Sequence, residues 1–339
     1  MGRTEPGHFH AKRWIPPSYT VDDDGKVVGG YQPSGLHNWG RWGEFDHFGT
    51  ANLITPESIV AAAGLVRHGT PYSLALPIDV DAPRWSGRRA PMHYFTMTGS
   101  DGLAGLPHSA NEPGVTFTDD YIDMALQSST QWDGLAHWAY QDSLYNGYWS
   151  GNITSAGSPD LDMSELKASF VGRGVLVDVP AVSGTPYLAP STAITPEMLD
   201  EALAQHGVEI RSGDMLLVRT GHLGRWYTEL DEAERRAWFT ATPGLSRTVI
   251  PWLHEKDVSA VALDTMGVEV VPNEEPVDPP HPVHHAALID MGLTLGELWW
   301  LEDLASACAD DDSYEFLLCA PPLNIPGAIG SVLNPIAIK

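Results

Sequence analysis

Two side chains four positions apart, Asp133 and His137, are the first candidates for chemistry in this chain. On an extended segment Gln127, Gln131 and Asp133 share parity and point to one side, and His137 joins them if the chain then turns into a helix. Carboxylate and imidazole are common ligands of divalent metals. The alternative is a structural hydrogen bond, which the two glutamines favour because a neutral amide is a poorer ligand.

A second candidate group consists of His281, His284 and His285, followed by Glu297. The histidines open a predicted helix just after a proline-rich loop, where side chains are commonly presented to a cleft. One of them can be a core or capping residue, but three within five positions are too many for that explanation alone. The pattern indicates a metal-binding or acid–base role.

The elements that must position these groups alternate between strands and helices. Apolar runs at 175–179 and 258–264 are typical of buried strands, and capped amphipathic segments separate such runs. This alternation predicts the α/β class with a mixed sheet. Residues 1–35 are interpreted as an N-terminal arm and residues 36–339 as a single domain, in which the segment 80–120 is expected to be rich in loops.

The acidic composition limits the possible partners. The chain has 339 residues with 44 Asp and Glu against 19 Lys and Arg, a net charge of −25. Such a polyanion repels phosphate backbones and anionic lipid surfaces, so neither nucleic acid nor a membrane is expected as a partner. The charge serves solubility or the binding of a cation. Neither a signal-peptide pattern nor a run of transmembrane length is found, so we expect a cytoplasmic protein.

Residues 127–137 resemble the hallmark motif of the cyclase family, His-x-Gly-Thr-His-x-Asp-x-Pro-x-His, a family that includes bacterial kynurenine formamidase and isatin hydrolase. Three positions match the motif's threonine, aspartate and last histidine: Thr130, Asp133 and His137. Four depart from it: Gln127 and Gln131 replace its first two histidines, Ser129 its glycine and Leu135 its proline.

Further segments fit the longer members of this family in order and spacing, so that the resemblance covers residues 38–339. They are 38–43, 50–53, 173–178, 217–221, 243–245, 264–265, 284–297 and 330–335. The resemblance implies a swivelling β/β/α domain with a mixed central sheet, usually assembled as an oligomer, here a homodimer or homotetramer.

The activity that the resemblance implies is that of a metal-dependent hydrolase acting on a small-molecule substrate. Such an enzyme cleaves an amide, a lactone or a similar C–N or C–O bond in a small cyclic or aromatic compound, and we expect a hydrolase of carbon–nitrogen bonds other than peptide bonds. Two-metal members use zinc or manganese, with the motif's aspartate bridging the two ions.

Carried over to this chain, the family's second metal site keeps Asp133, His137, Glu297 and either His284 or His285. The spacing back from Glu297 favours His285 in short family members and His284 in long ones, and this chain is long. The first metal site is removed or weakened, because neutral glutamine amides replace its two histidines. We therefore expect one divalent metal, zinc or manganese, per chain.

The catalytic candidates are His137, His285 and Gln131. A single divalent cation lowers the pKa of a bound water and polarises a carbonyl. His137, or whichever of His284 and His285 is not a ligand, then moves the proton.

The candidates for substrate binding are mostly aromatic residues near the two motifs. Aromatic side chains suit an apolar pocket for a flat molecule, and core packing is the alternative for each of them. The set comprises Gln127, Trp132, Trp39, Trp138 and His222, the last at the end of a predicted strand.

Two other functions remain open at this point. The glutamines are compatible with a metal-independent enzyme that catalyses cyclisation or dehydration on the same scaffold, for which insensitivity to a chelator is diagnostic. A non-catalytic small-molecule binding protein is the other alternative. The presence of Asp133, His137 and Glu297 speaks against it, because a binder has no need of costly buried ionisable groups.

Overall fold

The central sheet of the protein contains nine strands and includes both segments that carry the candidate residues. A computed structural model describes residues 17–106, 115–275 and 279–339 of the chain. Their strands are β1 (Thr20–Val21), β2 (Val27–Val28), β3 (Pro71–Ser73), β4 (Met92–Met97), β5 (Asp119–Asp123), β6 (Gln131–Asp133), β7 (Val171–Asp178), β8 (Ala193–Ile194), β9 (Met215–Arg219), β10 (Gly244–Leu245), β11 (Ala260–Leu263), β12 (Thr294–Glu297), β13 (Glu315–Cys319), β14 (Gly330–Val332) and β15 (Ile336–Ile338).

The helices are short. They are α1 (Pro56–Ala63), α2 (Gly99–Leu103), α3 (Val179–Val182), α4 (Pro196–Gln205), α5 (His222–Thr228), α6 (Glu232–Ala237), α7 (Val249–Glu255), α8 (Pro282–His284) and α9 (Glu302–Asp311). A π-helix, His285–Met291, continues directly from α8, and five short 3-10 helices lie at Gly49–Leu53, Tyr145–Gly147, Ser150–Asn152, Met163–Leu166 and Trp238–Thr240. In the described parts of the chain, no helix has the length and apolar character needed to cross a bilayer.

The large sheet has the strand order β14-β6-β12-β11-β9-β7-β13-β15-β3. Its central strands β12, β11, β9 and β7 are parallel to one another, whereas β14 and β6 on one side and β13, β15 and β3 on the other are joined by antiparallel pairing. Mixed sheets of this kind combine crossover helices with antiparallel edge strands. The predicted α/β class, a swivelling β/β/α domain with a mixed central sheet, is confirmed.

Two hydrophobic cores cover the two faces of this sheet. In β7, Val175 and Val177 pack into one core while Leu176 packs into the other. Neighbouring side chains of a strand point to opposite faces, so this alternation assigns one core to each face. Because both faces are covered, the central strands have the continuous apolar sequence from which they were predicted.

Helix α1 shows why the capping signals were informative. The Thr55 side chain accepts a hydrogen bond from the backbone N–H of Ser58 at 3.1 Å, and the Ser58 hydroxyl accepts one from the Thr55 N–H at 3.0 Å. This reciprocal pair satisfies two donors that a helix start leaves open. Pro56 at the first position lacks such a donor and fits there. A capped amphipathic segment of the kind expected from the sequence thus forms a helix here.

The segment expected to be rich in loops contains a regular ribbon. Strands β4 and β5 pair antiparallel with each other, and Tyr94 stacks on Tyr121 with ring centroids 5.7 Å apart. Nearly every residue of the two strands is exposed. The sequence therefore lacks the alternation of apolar and polar residues that predicts a half-buried strand, and the ribbon was missed.

The predicted N-terminal arm is described from residue 17 onwards, and its residues 1–16 lie outside the described residues. The described part forms the small β1–β2 sheet and then runs to Tyr31. The Tyr31 hydroxyl donates to Oδ1 of Asp290 at 2.7 Å and lies 2.8 Å from Nε2 of His285. The end of the arm is thus packed against the π-helix.

Candidate metal centre and cavity

A cavity of about 400 Å³ lies at the ends of β6 and β12, within the size range of small-molecule sites. It is lined by Trp85, Arg88, Asp133, His137, Trp138, Phe239, Met266, Gly267, Glu269, Val271, His281, His284 and Glu297. The two distant stretches that the sequence analysis selected, 127–137 and 281–297, therefore meet at one cavity.

Three buried side chains converge on the polar wall of this cavity. Strand β6 pairs with β12 so that Asp133 lies opposite Leu295, two positions from Glu297, which places both carboxylates on the same face. Helix α8 brings His284 to them: its Nε2 lies 3.3 Å from Oε1 of Glu297 and 3.8 Å from Oδ2 of Asp133. One ligand atom from each of the three lies within 4.8 Å of the others.

A further carboxylate, Glu269, orients the imidazole of His284. Nδ1 of His284 lies 2.9 Å from Oε2 of Glu269, and the backbone N–H of His284 donates to the same oxygen at 3.0 Å. Glu269 also binds Nδ1 of His281 at 2.7 Å. Because Nδ1 of His284 is engaged in this way, its Nε2 is the nitrogen directed at Asp133 and Glu297. A carboxylate behind a histidine is the usual arrangement around protein-bound metals.

The charges at this wall stabilise one another. Burial opposes a charge on His284, but Glu269, Asp133 and Glu297 outweigh it and raise the pKa of His284 well above its ordinary value. Burial likewise opposes the charge on Glu269, and the imidazoles of His284 and His281 still lower its pKa to about 2. A divalent cation bound at Nε2 of His284 would therefore compete with a proton, and its binding would release that proton.

The contact between Glu269 and His284 leads to a prediction for metal affinity. We expect Glu269→Gln to raise the dissociation constant of a divalent metal by about 10- to 100-fold, because the neutral amide orients the imidazole less well and leaves it less basic. Competition against a chromophoric chelator measures the constant. The control Glu275→Gln changes an exposed carboxylate that pairs with Arg247, and equal affinities of the two variants would refute the orienting role.

Gln131 bridges the two carboxylates of the wall. Its Nε2 donates to Oε2 of Glu297 at 2.9 Å and lies 3.3 Å from Oδ1 of Asp133. The predicted common face of Gln131 and Asp133 is thus observed. Oε1 of Gln131 is buried and has no hydrogen-bond partner among the described residues. The amide holds the carboxylates in place and leaves an acceptor free for another group.

His137 reaches the wall from a turn. Its backbone N–H donates to the carbonyl of Gly134 at 2.9 Å. The segment after Asp133 is a turn and not the helix that the sequence analysis required for His137 to join Asp133. Nε2 of His137 lies 3.7 Å from Oδ1 of Asp133. This side chain is partly exposed and lines the cavity, so it lies beside the carboxylate cluster and is accessible from the cavity.

The donor set fits a divalent cation. Two buried carboxylates, the free edge of one imidazole and a second imidazole nearby form an N/O site of the kind that zinc and manganese occupy. Buried carboxylates are costly unless a cation or hydrogen bonds compensate them, and Asp133 and Glu297 are both buried. Asp133, His284 and Glu297 are the residues positioned to hold the ion, with His137 beside them.

Only one of the three tryptophans proposed for substrate binding lies at the cavity. Trp138 lines it, with its ring centroid 5.0 Å from those of His281 and His284. Trp132 is fully buried on the other face of β6, where Nε1 donates to the carbonyl of Ala320 at 2.8 Å. The strand period explains this, since it turns Trp132 away from its neighbours Gln131 and Asp133.

Trp39, Gln127 and His285 lie outside the cavity lining. Nε1 of Trp39 donates to the carbonyl of Ile289 at 2.6 Å, which ties it to the back of the π-helix. His285 follows His284 in the chain but points to Tyr31 and Asp290, because neighbouring helical residues diverge. Gln127 precedes β6 in a turn, so the predicted extended run is shorter than expected and begins at Gln131.

His222 is also placed apart from the cavity lining. Its ring stacks on Trp238 with centroids 4.4 Å apart and is buried. Burial lowers the pKa of His222 to about 4. A histidine with this pKa is neutral at pH 7 and contributes to packing in that form.

The low pKa of His222 predicts a loss of stability in acid. Since the folded pKa lies below the ordinary value of about 6.5, the stabilisation by the neutral ring is fully present above pH 6.5 and is lost as the pH falls toward 4. When the pH is lowered from 7 to 5, we expect the free energy of unfolding of the wild type to fall by about 2 kcal/mol more than that of His222→Phe. Urea denaturation at both pH values measures this, with exposed His68→Phe as control. Equal losses would refute the assignment.

Three ionisable lining residues were missed or not assigned a role by sequence reasoning. Glu269 and Arg88 carry no motif, and His281 was noted only as a member of a histidine-rich stretch. The one available signal for Glu269 is its place as a lone carboxylate within the apolar run 268–271. Such a residue, when buried, needs a partner.

Comparisons with known proteins identify the family of this chain. The cyclase family model matches residues 72–270, more than half of the chain. A solved structure described as a novel cyclase is 45% identical, with a TM-score of 0.84, and the match covers 90% of this chain and 98% of that one. A search of the curated proteins finds no match.

More distant solved structures share the fold. Isatin hydrolase A from Labrenzia aggregata is 20% identical with a TM-score of 0.55, covering 83% of this chain and 97% of that one. Isatin hydrolase A from Ralstonia solanacearum is 19% identical with a TM-score of 0.53, covering 84% and 97%. At these identities the likeness concerns the fold alone. On the family match and the 45% identical structure, this chain belongs to the cyclase family.

Proposed function

We propose that the protein is a metal-dependent hydrolase that cleaves an amide, lactone or similar C–N or C–O bond in a small aromatic or cyclic molecule. The observation that carries the proposal is the convergence of Asp133, His284 and Glu297 at the wall of a 400 Å³ cavity. Two carboxylates and an imidazole held this closely suit one divalent cation, zinc or manganese. Two solved structures that share the fold are described as isatin hydrolases.

Several side chains at the wall have separate roles in the proposed reaction. A bound divalent cation supplies Lewis acidity and a lowered pKa for water. Glu269 fixes the ring of His284, and Gln131 fixes the carboxylates of Asp133 and Glu297 through its amide. These contacts keep the wall rigid during a reaction in which charge develops.

His137 is the residue proposed to move protons. It lines the cavity and is partly exposed, so its ring contacts a bound substrate as well as the carboxylate of Asp133. An imidazole in this position accepts a proton from the attacking water and donates it to the leaving nitrogen or oxygen. Trp138 supplies a flat apolar surface for a ring of the substrate.

Metal analysis of protein purified without chelator tests the proposal. We expect one zinc or manganese per chain, loss of hydrolysis on removal of the ion by a strong chelator, and recovery when it is restored. Two tightly bound ions, or none, would contradict the one-metal site. Turnover that persists in chelator would identify a metal-independent enzyme, and tight ligand binding without turnover would identify a binding protein.

A further inference from the structure

The cavity contains one permanently charged cationic side chain, Arg88. It is the only lysine or arginine among the lining residues, and it is partly buried. One of its Nη1 donors binds the backbone carbonyl of Gln127, which anchors the guanidinium next to the segment that leads into β6. Of the five N–H donors of an arginine, most are therefore available to a molecule in the cavity.

Arg88 is one of five arginines of the described residues that form no ion pair with a carboxylate, and it is the one of these five that lines the cavity. Seven other arginines of the described residues form ion pairs with carboxylates: Arg41, Arg89, Arg173, Arg219, Arg225, Arg236 and Arg247. Arg88 forms none with the described residues, although Asp133, Glu269 and Glu297 line the same cavity. Its charge acts on Asp133 from beyond ion-pair distance. No carboxylate of the described residues occupies its N–H donors, so these remain available to an anion from outside.

We propose that Arg88 binds a carboxylate group of the substrate, so that the enzyme acts on small aromatic or cyclic compounds that carry one carboxylate. This inference rests on the proposed function and names its substrate class. The planar guanidinium donates two parallel hydrogen bonds to a carboxylate. Trp85 and Trp138 line the same cavity and offer flat faces to the attached ring.

The charge of the cavity favours a single carboxylate over a phosphate group. Asp133, Glu269 and Glu297 contribute three negative charges, which one divalent metal and Arg88 together would balance without a surplus of positive charge. A dianion adds more repulsion than a monoanion at the same distance. The substrate therefore has one negative charge at the end that Arg88 holds.

Binding of simple probes tests the inference without knowledge of the substrate. Benzoate is titrated calorimetrically into the metal-loaded and chelator-treated protein, with isosteric benzamide and inorganic phosphate as comparison ligands. We expect Arg88→Gln to weaken benzoate binding at least about tenfold in both forms, and to leave benzamide binding unchanged. Arg89→Gln is the matched control, because this neighbouring arginine is exposed and pairs with Asp123.

Each other outcome overturns the inference. If benzoate binds only the metal-loaded protein and Arg88→Gln has no effect, the carboxylate goes to the metal. If phosphate binds in preference to benzoate, the substrate class is wrong, and if benzoate fails to bind at millimolar concentrations, Arg88 holds no carboxylate. None of these results changes the metal content or the chelator sensitivity, which test the proposed function separately.

Discussion

Replacement of Asp133 by asparagine is expected to lower turnover by at least about a thousandfold and metal affinity by more than about a hundredfold. The lower bound on affinity follows because residues that only orient metal ligands already contribute about 10- to 100-fold. Asp133 is closer to the centre, since its carboxylate lies beside both His284 and His137. Asparagine keeps the shape of the side chain and removes its charge.

The measurements are metal content after dialysis, the dissociation constant and the initial rate of hydrolysis, with circular dichroism to confirm folding. Asp123→Asn is the control, because Asp123 lies at the end of the exposed ribbon strand β5. A folded Asp133→Asn protein that retains metal and full activity would remove Asp133 from the site and with it the proposed hydrolase.

The second large effect is expected at Arg219, away from the metal centre. Its Nη1 binds Oδ1 of Asp178 at 2.8 Å, and its Nη2 binds Oε2 of Glu302 at 2.7 Å and the carbonyl of Pro186 at 2.9 Å. Both Arg219 and Asp178 are buried. Removing the cation from such a cluster leaves uncompensated carboxylates inside the protein.

We therefore expect Arg219→Met to reduce the free energy of unfolding by about 3–5 kcal/mol. Urea denaturation followed by tryptophan fluorescence measures the change. Arg236→Met is the control: its pair with Glu232 is exposed, so a loss below about 1 kcal/mol is expected there. Similar losses in the two variants would mean that the buried cluster contributes no more than a surface pair.

The sequence was sufficient to predict the sheet and the place of Asp133 within it, for different reasons. Continuous apolar strands and capped helices follow from local rules, and the family motif fixes the register of Asp133. Its parity with Gln131 also follows from the strand period. The same period places Trp132 on the opposite face. Strand alternation alone would therefore have predicted Trp132 to lie in the core and not at the cavity.

The remaining site residues depend on tertiary packing. Glu269 reaches His284 through a loop after β11 that is fixed by a β-bridge to Leu245, and no local pattern encodes that approach. His284 and His285 are adjacent in sequence, so only their directions on the folded helix distinguish them. Arg88 comes from the segment before an exposed ribbon, whose strands carry no burial pattern. The positions of these residues depend on the tertiary structure, which local sequence patterns do not specify.

The π-helix His285–Met291 follows α8 directly and lies between the site histidine His284 and Glu297. A π turn closes a hydrogen bond one residue later than an α turn, so it contains one additional residue between the same two end points. Between His284 and the end of this helix the chain therefore contains more residues than regular α-helical winding over the same length would. A change from π to α winding would shorten the sequence between His284 and Glu297 and leave both side chains at the same wall.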